Sequence, residues 1–335
     1  MSRYYRIEIG AAPSGNTGAV YTSLVGDKTD PGALQIEMDL PVFTFAAPMG
    51  NSYVRIAGVS LETVGQASDF NGAPIKVYGG MAPGLPLAKP SQNGLLVQGT
   101  IFQAFGNWIG TDTTLELIII TNGGATQDAP ANITLDWKKG VALADAIRAT
   151  MAVAFPDYTV TINISANLVL TEDEAGFYRT IEQFAAYVQR VSQSILGPDY
   201  PGVQITLQEK AFNVYDGSAQ ATPTLIDFND LIGQPTWIGP GQMQFNCVMR
   251  ADLTVGAYVK MPPAQVAVTT AAAASPFRNT SVFQGTFQLE MVRHVGNFRQ
   301  PDAQSWITTF NAHPVTPDVT DVAPVIITAS PPPPP

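Results

Sequence analysis

The chain has 335 residues, of which 45% are hydrophobic and only 13% charged, with 17 Lys and Arg against 27 Asp and Glu and a formal net charge of −10. So much apolar and so little charged sequence excludes intrinsic disorder, and the acidic balance excludes a protein whose affinity comes from neutralising phosphates. One cysteine and two histidines exclude a disulfide framework, a cysteine-rich zinc module and a His-built metal or catalytic cluster.

The first third reads as short strands between turn signals. Tyr4, Arg6 and Glu8 alternate with Tyr5, Ile7 and Ile9, the period of a half-buried strand. A loop follows over Gly10 to Gly18, then a strand from Val20 to Val25 ended by the turn-forming run GDKTDPG. Leu34, Ile36, Met38 and Leu40 share one face of a further strand, which Pro41 closes or marks as an edge. Tyr53 to Leu61 and Ile75 to Tyr78 repeat the alternation, and Leu95 to Ile101 and Leu115 to Thr121 come after a Gly/Pro-rich stretch. Many short strands with frequent turns predict a β-barrel or sandwich.

The pattern changes near Asn132. Val141, Ala144, Ile147, Met151 and Ala154 recur at helical spacing, which predicts an amphipathic helix ending near Phe155-Pro156. Tyr158 to Ile164 alternates as a strand. A second helix is expected from Thr180 to Leu196, with Thr180 and Gln183 at capping-box spacing and Gly197-Pro198 at its end. Strands return at Val203 to Leu207 and, after Ala211, at Phe212 to Tyr215, Thr224 to Phe228, Gln242 to Val248, Tyr258 to Met261, Phe283 to Val295 and Trp306 to Phe310. The order predicts a mainly β chain with an α+β insert. The units are a β domain over 1–130, the insert over 131–210, a second β domain over 211–313 and an extended Pro-rich tail over 314–335.

No stretch approaches the ~18 consecutive apolar residues of a membrane span, and Glu116 interrupts the longest candidate, Leu115 to Ile120. The opening MSRYYRIEIG alternates and carries charge, so neither a signal peptide nor ordinary secretion is expected. Low charge with 29 glycines and 27 prolines predicts a component of an assembly, burying surface against partners.

Catalytic patterns are missing from the sequence. There is no G-x-S-x-G nucleophile elbow and no phosphate-cradling P-loop. Glu172, Asp173 and Glu174 read as negative charge at the start of a helix rather than a paired-carboxylate site. His294 and His313 read as hydrogen-bonding residues of a surface or interface, and Cys247 as a small buried side chain. Trp108, Trp137, Trp237 and Trp306 are scattered and read as packing residues. Arg250 and Asp252 read as a local ion pair across a turn, worth little at a surface. Neither an enzyme, a cofactor nor a metal site is expected.

The stretch DFNDLIGQPTWIGPGQMQFNCVMRADLTVGAYVKMPP, Asp227 to Pro263, is more specific. Through Gln234, Pro235, Trp237, Arg250, Asp252, Gly256 and Pro262 it resembles the hub proteins of bacteriophage tail baseplates. A second segment, QLEMVRHVGNFRQPDAQSWITTF, carries the resemblance through His294, Gly296, Arg299, Asp302, Trp306 and Thr308. The similarity spans about 132–310.

The resemblance implies two tail-tube-like β-barrels flanking a small α+β domain, and a homotrimer whose six barrels adapt a sixfold tail tube to a threefold spike. Its implied partners are the tube protein, the spike or tip protein, and wedge or tape-measure proteins, with DNA only in transit through the channel. The implied location is the virion baseplate, after synthesis in the bacterial cytoplasm. The alternative is a receptor- or glycan-binding β protein of the virion tail. The tail, with Val315, Val319, Val322, Val325, Ile326 and Ile327 ahead of five prolines, is expected to lie extended on a neighbouring subunit or the spike.

Overall fold

The computed structural model describes residues 3–45, 52–82, 89–121, 131–198, 200–208, 211–218, 222–262, 283 and 285–315. The tail expected from Pro314 onward lies, beyond Val315, outside the described residues. Strands of the first 120 residues are β1 (Arg3–Ile9), β2 (Ala19–Thr22), β3 (Leu24–Val25), β4 (Lys28–Thr29), β5 (Gln35–Val42), β6 (Ser52–Ala57), β7 (Pro74–Met81), β8 (Gly94–Ile109) and β9 (Asp112–Ile120), with helix α1 (Leu61–Gly65) after β6. An α+β unit follows, made of β10 (Ile133–Trp137), α2 (Leu143–Ala154), β11 (Thr159–Asn163), β12 (Glu174–Tyr178), α3 (Ile181–Leu196), β13 (Gln204–Gln208) and β14 (Ala211–Tyr215). The remaining strands are β15 (Thr224–Leu225), β16 (Thr236–Gly239), β17 (Gln242–Val248), β18 (Tyr258–Lys260), β19 (Thr286–Asn297) and β20 (Trp306–Pro314).

The chain is mainly β, and strands from both sides of the α+β unit join in one thirteen-stranded sheet. Its order is β16-β17-β20-β19-β5-β6-β9-β8-β7-β1-β2, with β18 and β15 attached beside β19. The path is open, and no pairing among the described residues joins β2 to β16. Among the described residues the two β regions thus do not form closed, separate barrels: Tyr5, Ile56 and Leu117 share a core with Phe245, Leu289 and Phe310.

β19 is the branch point. Residues 286–288 pair with β18 and residues 292–297 pair with β5, both along one edge. A register shift between Leu289 and Met291 separates the two pairings, and such a bulge bends a strand.

Burial alternates in β5 as the sequence predicts, with Ile36, Met38, Leu40 and Val42 inward. Pro41 neither ends this strand nor lies on a sheet edge, because β5 runs between β6 and β19. Its missing N–H breaks no pair with β6, since among the described residues that pairing runs only to Asp39 opposite Tyr53. The strand expected to reach Leu61 ends at Ala57, and Ser60 instead caps α1 by accepting the Thr63 N–H at 3.1 Å. β8 runs eight residues past the expected Ile101 and turns into β9 through Gly110 and Thr111. Gly110 at φ +62° supplies the positive dihedral of a glycine-first two-residue hairpin turn.

The α+β unit has a second core, built from Trp137, Ile147, Phe184, Val188, Phe212 and their neighbours. β14 pairs in parallel with β11 and antiparallel with β13, while β10 pairs with β12. Thr180 caps α3, and Gly197 at φ +100° ends it. Glu172 to Glu174 do not start a helix: Glu174 opens β12, and the Asp173 carboxylate accepts the Lys139 N–H at 2.8 Å. Phe45 joins the unit to the sheet through its N–H to the Ile205 carbonyl at 2.8 Å.

Candidate functional site: the junction around Arg250 and Trp306

β17 ends where its chain turns at Arg250, and the turn places that side chain under the sheet with 3% of its surface exposed. Its Nε and Nη2 both donate to the Asp252 carboxylate at 2.7 Å, a fork-to-fork pair. Nη1 reaches Asp230 Oδ2 at 3.3 Å, from a carboxylate buried at the end of the short turn Phe228–Asp230. Asp230 also accepts from Gln92 Nε2 at 2.6 Å and from Lys89 Nζ at 3.3 Å. The Ala251 N–H donates to the Gln92 carbonyl at 2.8 Å. Arg250 is therefore not the exposed local pair expected from sequence. It anchors a buried network linking residues 89–92 to residues 227–252.

A second fastening lies on the other side of Met249. Trp306 is buried, and its indole Nε1 donates to the Gly80 carbonyl of β7 at 2.8 Å. Gly296 lies against this ring, and a Cβ there would stand 2.8 Å from Trp306 Cζ3 and 2.7 Å from Met38 Cε. Arg3 sits 5.9 Å over the Trp306 ring and donates to the carbonyls of Asn297, Phe298, Gln300 and Asp302. One side chain from β1 thereby closes the β19–β20 turn.

His294 is fully enclosed, with Nδ1 2.9 Å from Thr308 Oγ1. Thr308 Oγ1 in turn accepts the Arg250 N–H at 3.0 Å. The surface or interface position expected for His294 is thus overturned. Burial pushes its imidazole down to about 3, so the ring is neutral over the physiological range. Gly256, at φ +88°, brings its backbone against the Tyr215 ring, where a Cβ would stand 2.8 Å from two ring carbons.

The other motif residues lie apart from this junction. Gln234 is exposed, Pro235 is half-buried, and Trp237 sits on the edge strand β16, stacked on Phe283 at 5.3 Å. Asp302 is exposed in the β19–β20 turn, where hydrogen bonds, first from Ser305, hold its carboxyl below the usual range. Sequence reasoning missed Arg3, Gly80, Lys89, Gln92 and Asp230. Only Asp230 lay inside a singled-out segment, and its acidic character was the one available signal.

Chemically, the junction is a satisfied clamp. Each charged group has partners, and it presents no acid–base pair to a cavity. Among the described residues, no three or more His, Cys, Asp or Glu side chains converge on a metal position. No helix among them is long and apolar enough to cross a membrane.

No protein-family model matches the chain, and no curated protein sequence does. Solved structures do. The 43 kDa tail protein of prophage MuSo2 from Shewanella oneidensis superposes with a TM-score of 0.52 at 8% identity, covering 94% of this chain and 98% of that one. A structure of the Francisella PdpA–VgrG complex gives 0.52 at 7% identity, covering 97% of this chain but 59% of the matched one. The tail protein from Neisseria meningitidis MC58 gives 0.49 at 11% identity, over 94% and 97%. What is shared at such identities is the fold. The chain shares the fold of the MuSo2 tail protein over nearly its whole length.

Proposed function

We propose that this chain is a structural protein of a phage tail and, more finely, its baseplate hub. In this reading it is a homotrimer that joins the sixfold tail tube to the threefold spike and encircles the DNA channel. The observation that carries the reading is the fold match to the MuSo2 tail protein over 94% of this chain and 98% of that one. Residues 1–130 and 211–313 supply two tube-like β units, and 131–210 form the insert between them. Three copies then present six such units to the tube and three subunits to the spike.

The clamp suits a part that transmits force, because it fastens the two sequence-distant halves into one body. Apolar side chains remain for neighbours: Trp108 and Ile109 at the β8–β9 tip and Trp237 and Ile238 on β16 are all exposed. Gln234, Pro235 and Trp237 belong to this second surface and are its proposed contacts. Arg250, Asp252, Gly256, His294, Gly296 and Trp306 act from inside, and Asp302 shapes the adjoining turn. Light scattering on the purified chain tests the assembly, with a mass of three subunits expected and a shift toward monomer in Trp237→Ser. A monomer at every concentration would count against the trimer.

A further inference from the structure

Between the α+β unit and the sheet lies a cleft of about 730 Å3, within the size range of ligand sites. Phe43, Tyr200 and Tyr215 bring aromatic side chains to its wall. Among the described residues its lining holds no Lys or Arg, and its charged groups are already engaged. Glu290 accepts from Gln242 Nε2 at 3.0 Å and lies 3.0 Å from His313 Nδ1. Those contacts, the histidine first, hold its carboxyl below the usual range. Asp216 accepts from the Tyr200 hydroxyl at 2.6 Å and from the Ser165 and Ser218 N–H groups. The carboxylates are thus compensated, which leaves nothing to pair with a phosphate and little to attract a cation.

Uncharged groups of the same cleft are left unsatisfied. Gln288 is only 3% exposed. Its Nε2 donates to the Gly256 carbonyl at 3.2 Å, while its Oε1 accepts no hydrogen bond among the described residues. A Cβ at Gly217 would stand 3.3 Å from that oxygen, so the glycine leaves room beside it. The Tyr215 hydroxyl also has no hydrogen-bond partner among the described residues, and burial pushes its pKa up, which keeps it a donor. The side-chain amides of Gln189 and Gln204, which line the cleft as well, are likewise without partners among the described residues. Buried polar groups ordinarily have partners, and several exceptions around one cavity point to a molecule that supplies them.

A molecule that fits is uncharged, has an apolar face for an aromatic ring, and carries groups that both donate and accept. Sugars meet all three conditions. Each hydroxyl donates and accepts, as a carboxamide does, and the C–H face of a pyranose packs on an aromatic side chain. We propose that this cleft binds a neutral oligosaccharide, with Gln189, Gln204, Gln288 and the Tyr215 hydroxyl bonding its hydroxyls and Tyr200 packing against a sugar ring. This is a function separate from hub assembly and rests on the cleft alone.

The test uses the full chain with isotope-labelled methionine methyl groups, observed by NMR. Met291 lines the cleft, whereas Met38 and Met249 are buried in the core of the sheet. Met291→Leu identifies the first signal. The probes are maltotriose, cellotriose and tri-N-acetylchitotriose, with trigalacturonate as a charged counterpart of like size. At least one neutral probe is expected to shift the Met291 signal and not those of Met38 and Met249, with a dissociation constant of about 1 mM or below. Trigalacturonate is expected to leave all of them unmoved. Gln204→Leu keeps a similar volume but removes the amide, and is expected to weaken binding by about five- to tenfold with melting unchanged. Gln189→Leu serves the same purpose if the first variant fails to fold. A Met291 signal indifferent to every neutral probe, as when water alone fills the cleft, would overturn the proposal. So would an equal response to trigalacturonate, or an affinity unchanged by the glutamine variants.

Discussion

Arg250 and Asp230 lie almost out of reach of water, while Arg250's other carboxylate partner, Asp252, is partly exposed. Burying such a cluster is expensive in itself, so its presence is not a measure of stability. Removing the cation alone is another matter. Arg250→Ala leaves Asp230 buried with only its partners from residues 89–92, and is expected to lower the unfolding free energy by about 3–5 kcal/mol, read by urea denaturation. Arg250→Met with Asp230→Leu should recover most of the loss, since apolar replacement of both members is often neutral.

His294 gives a pH prediction. Its folded pKa, about 3, lies below the ordinary 6.5, so between these values the unfolded chain binds the extra proton. Stability should therefore be full above pH 6.5 and fall as pH drops toward 3, at up to about 1.4 kcal/mol per pH unit from this group. His294→Asn should flatten that part of an acid-denaturation curve, and an unchanged slope would contradict the buried neutral ring. The sequence marked both residues but not their depth. Asp252 lies two positions from Arg250, whereas Gln92 and Asp230 meet across 138 positions, a distance that linear spacing does not show.

Among the elements, the legible ones were those whose pattern repeats long enough to be unambiguous. β5 alternates over eight residues, and α3 carries a cap, an apolar stripe and a terminal glycine. Helix α1 spans five residues with none buried, so it has no apolar period to read. β12 was hidden because its exposed Phe177 and two small residues break the usual alternation. Gly256 shows why one turn of the motif needs its residue type. Gly256→Ala places a side chain at φ +88° and against Tyr215, and should cost at least about 1–2 kcal/mol from the backbone alone. Gly233→Ala carries a comparable dihedral, φ +82°, with nothing within 4 Å. Thermal melting should show a smaller loss there, and equal losses would mean that the Tyr215 contact is slack.

At the scale of the molecule, the sequence conveyed a mainly β chain with an α+β unit between β regions. It did not convey that the regions share a sheet. That depends on β19 pairing with β5 at one end and β18 at the other, a choice made by a bulge and by contacts some 250 residues apart, such as Arg293 with Asp39. A shared sheet predicts that the two halves unfold together. Arg250→Ala and Trp306→Ala should each lower a single cooperative transition, followed in parallel by tryptophan fluorescence and circular dichroism. Separation into two transitions would show that the halves stand independently.

The proposed hub function is a matter of position and symmetry. The measurement that reaches it most directly is electron microscopy of intact tails bearing a tagged copy of this chain, reconstructed without imposed symmetry. The account predicts three copies in a ring around the channel, between the end of the tail tube and the spike. Density on the fibres or tail surface, or a ring of any other order, would contradict it.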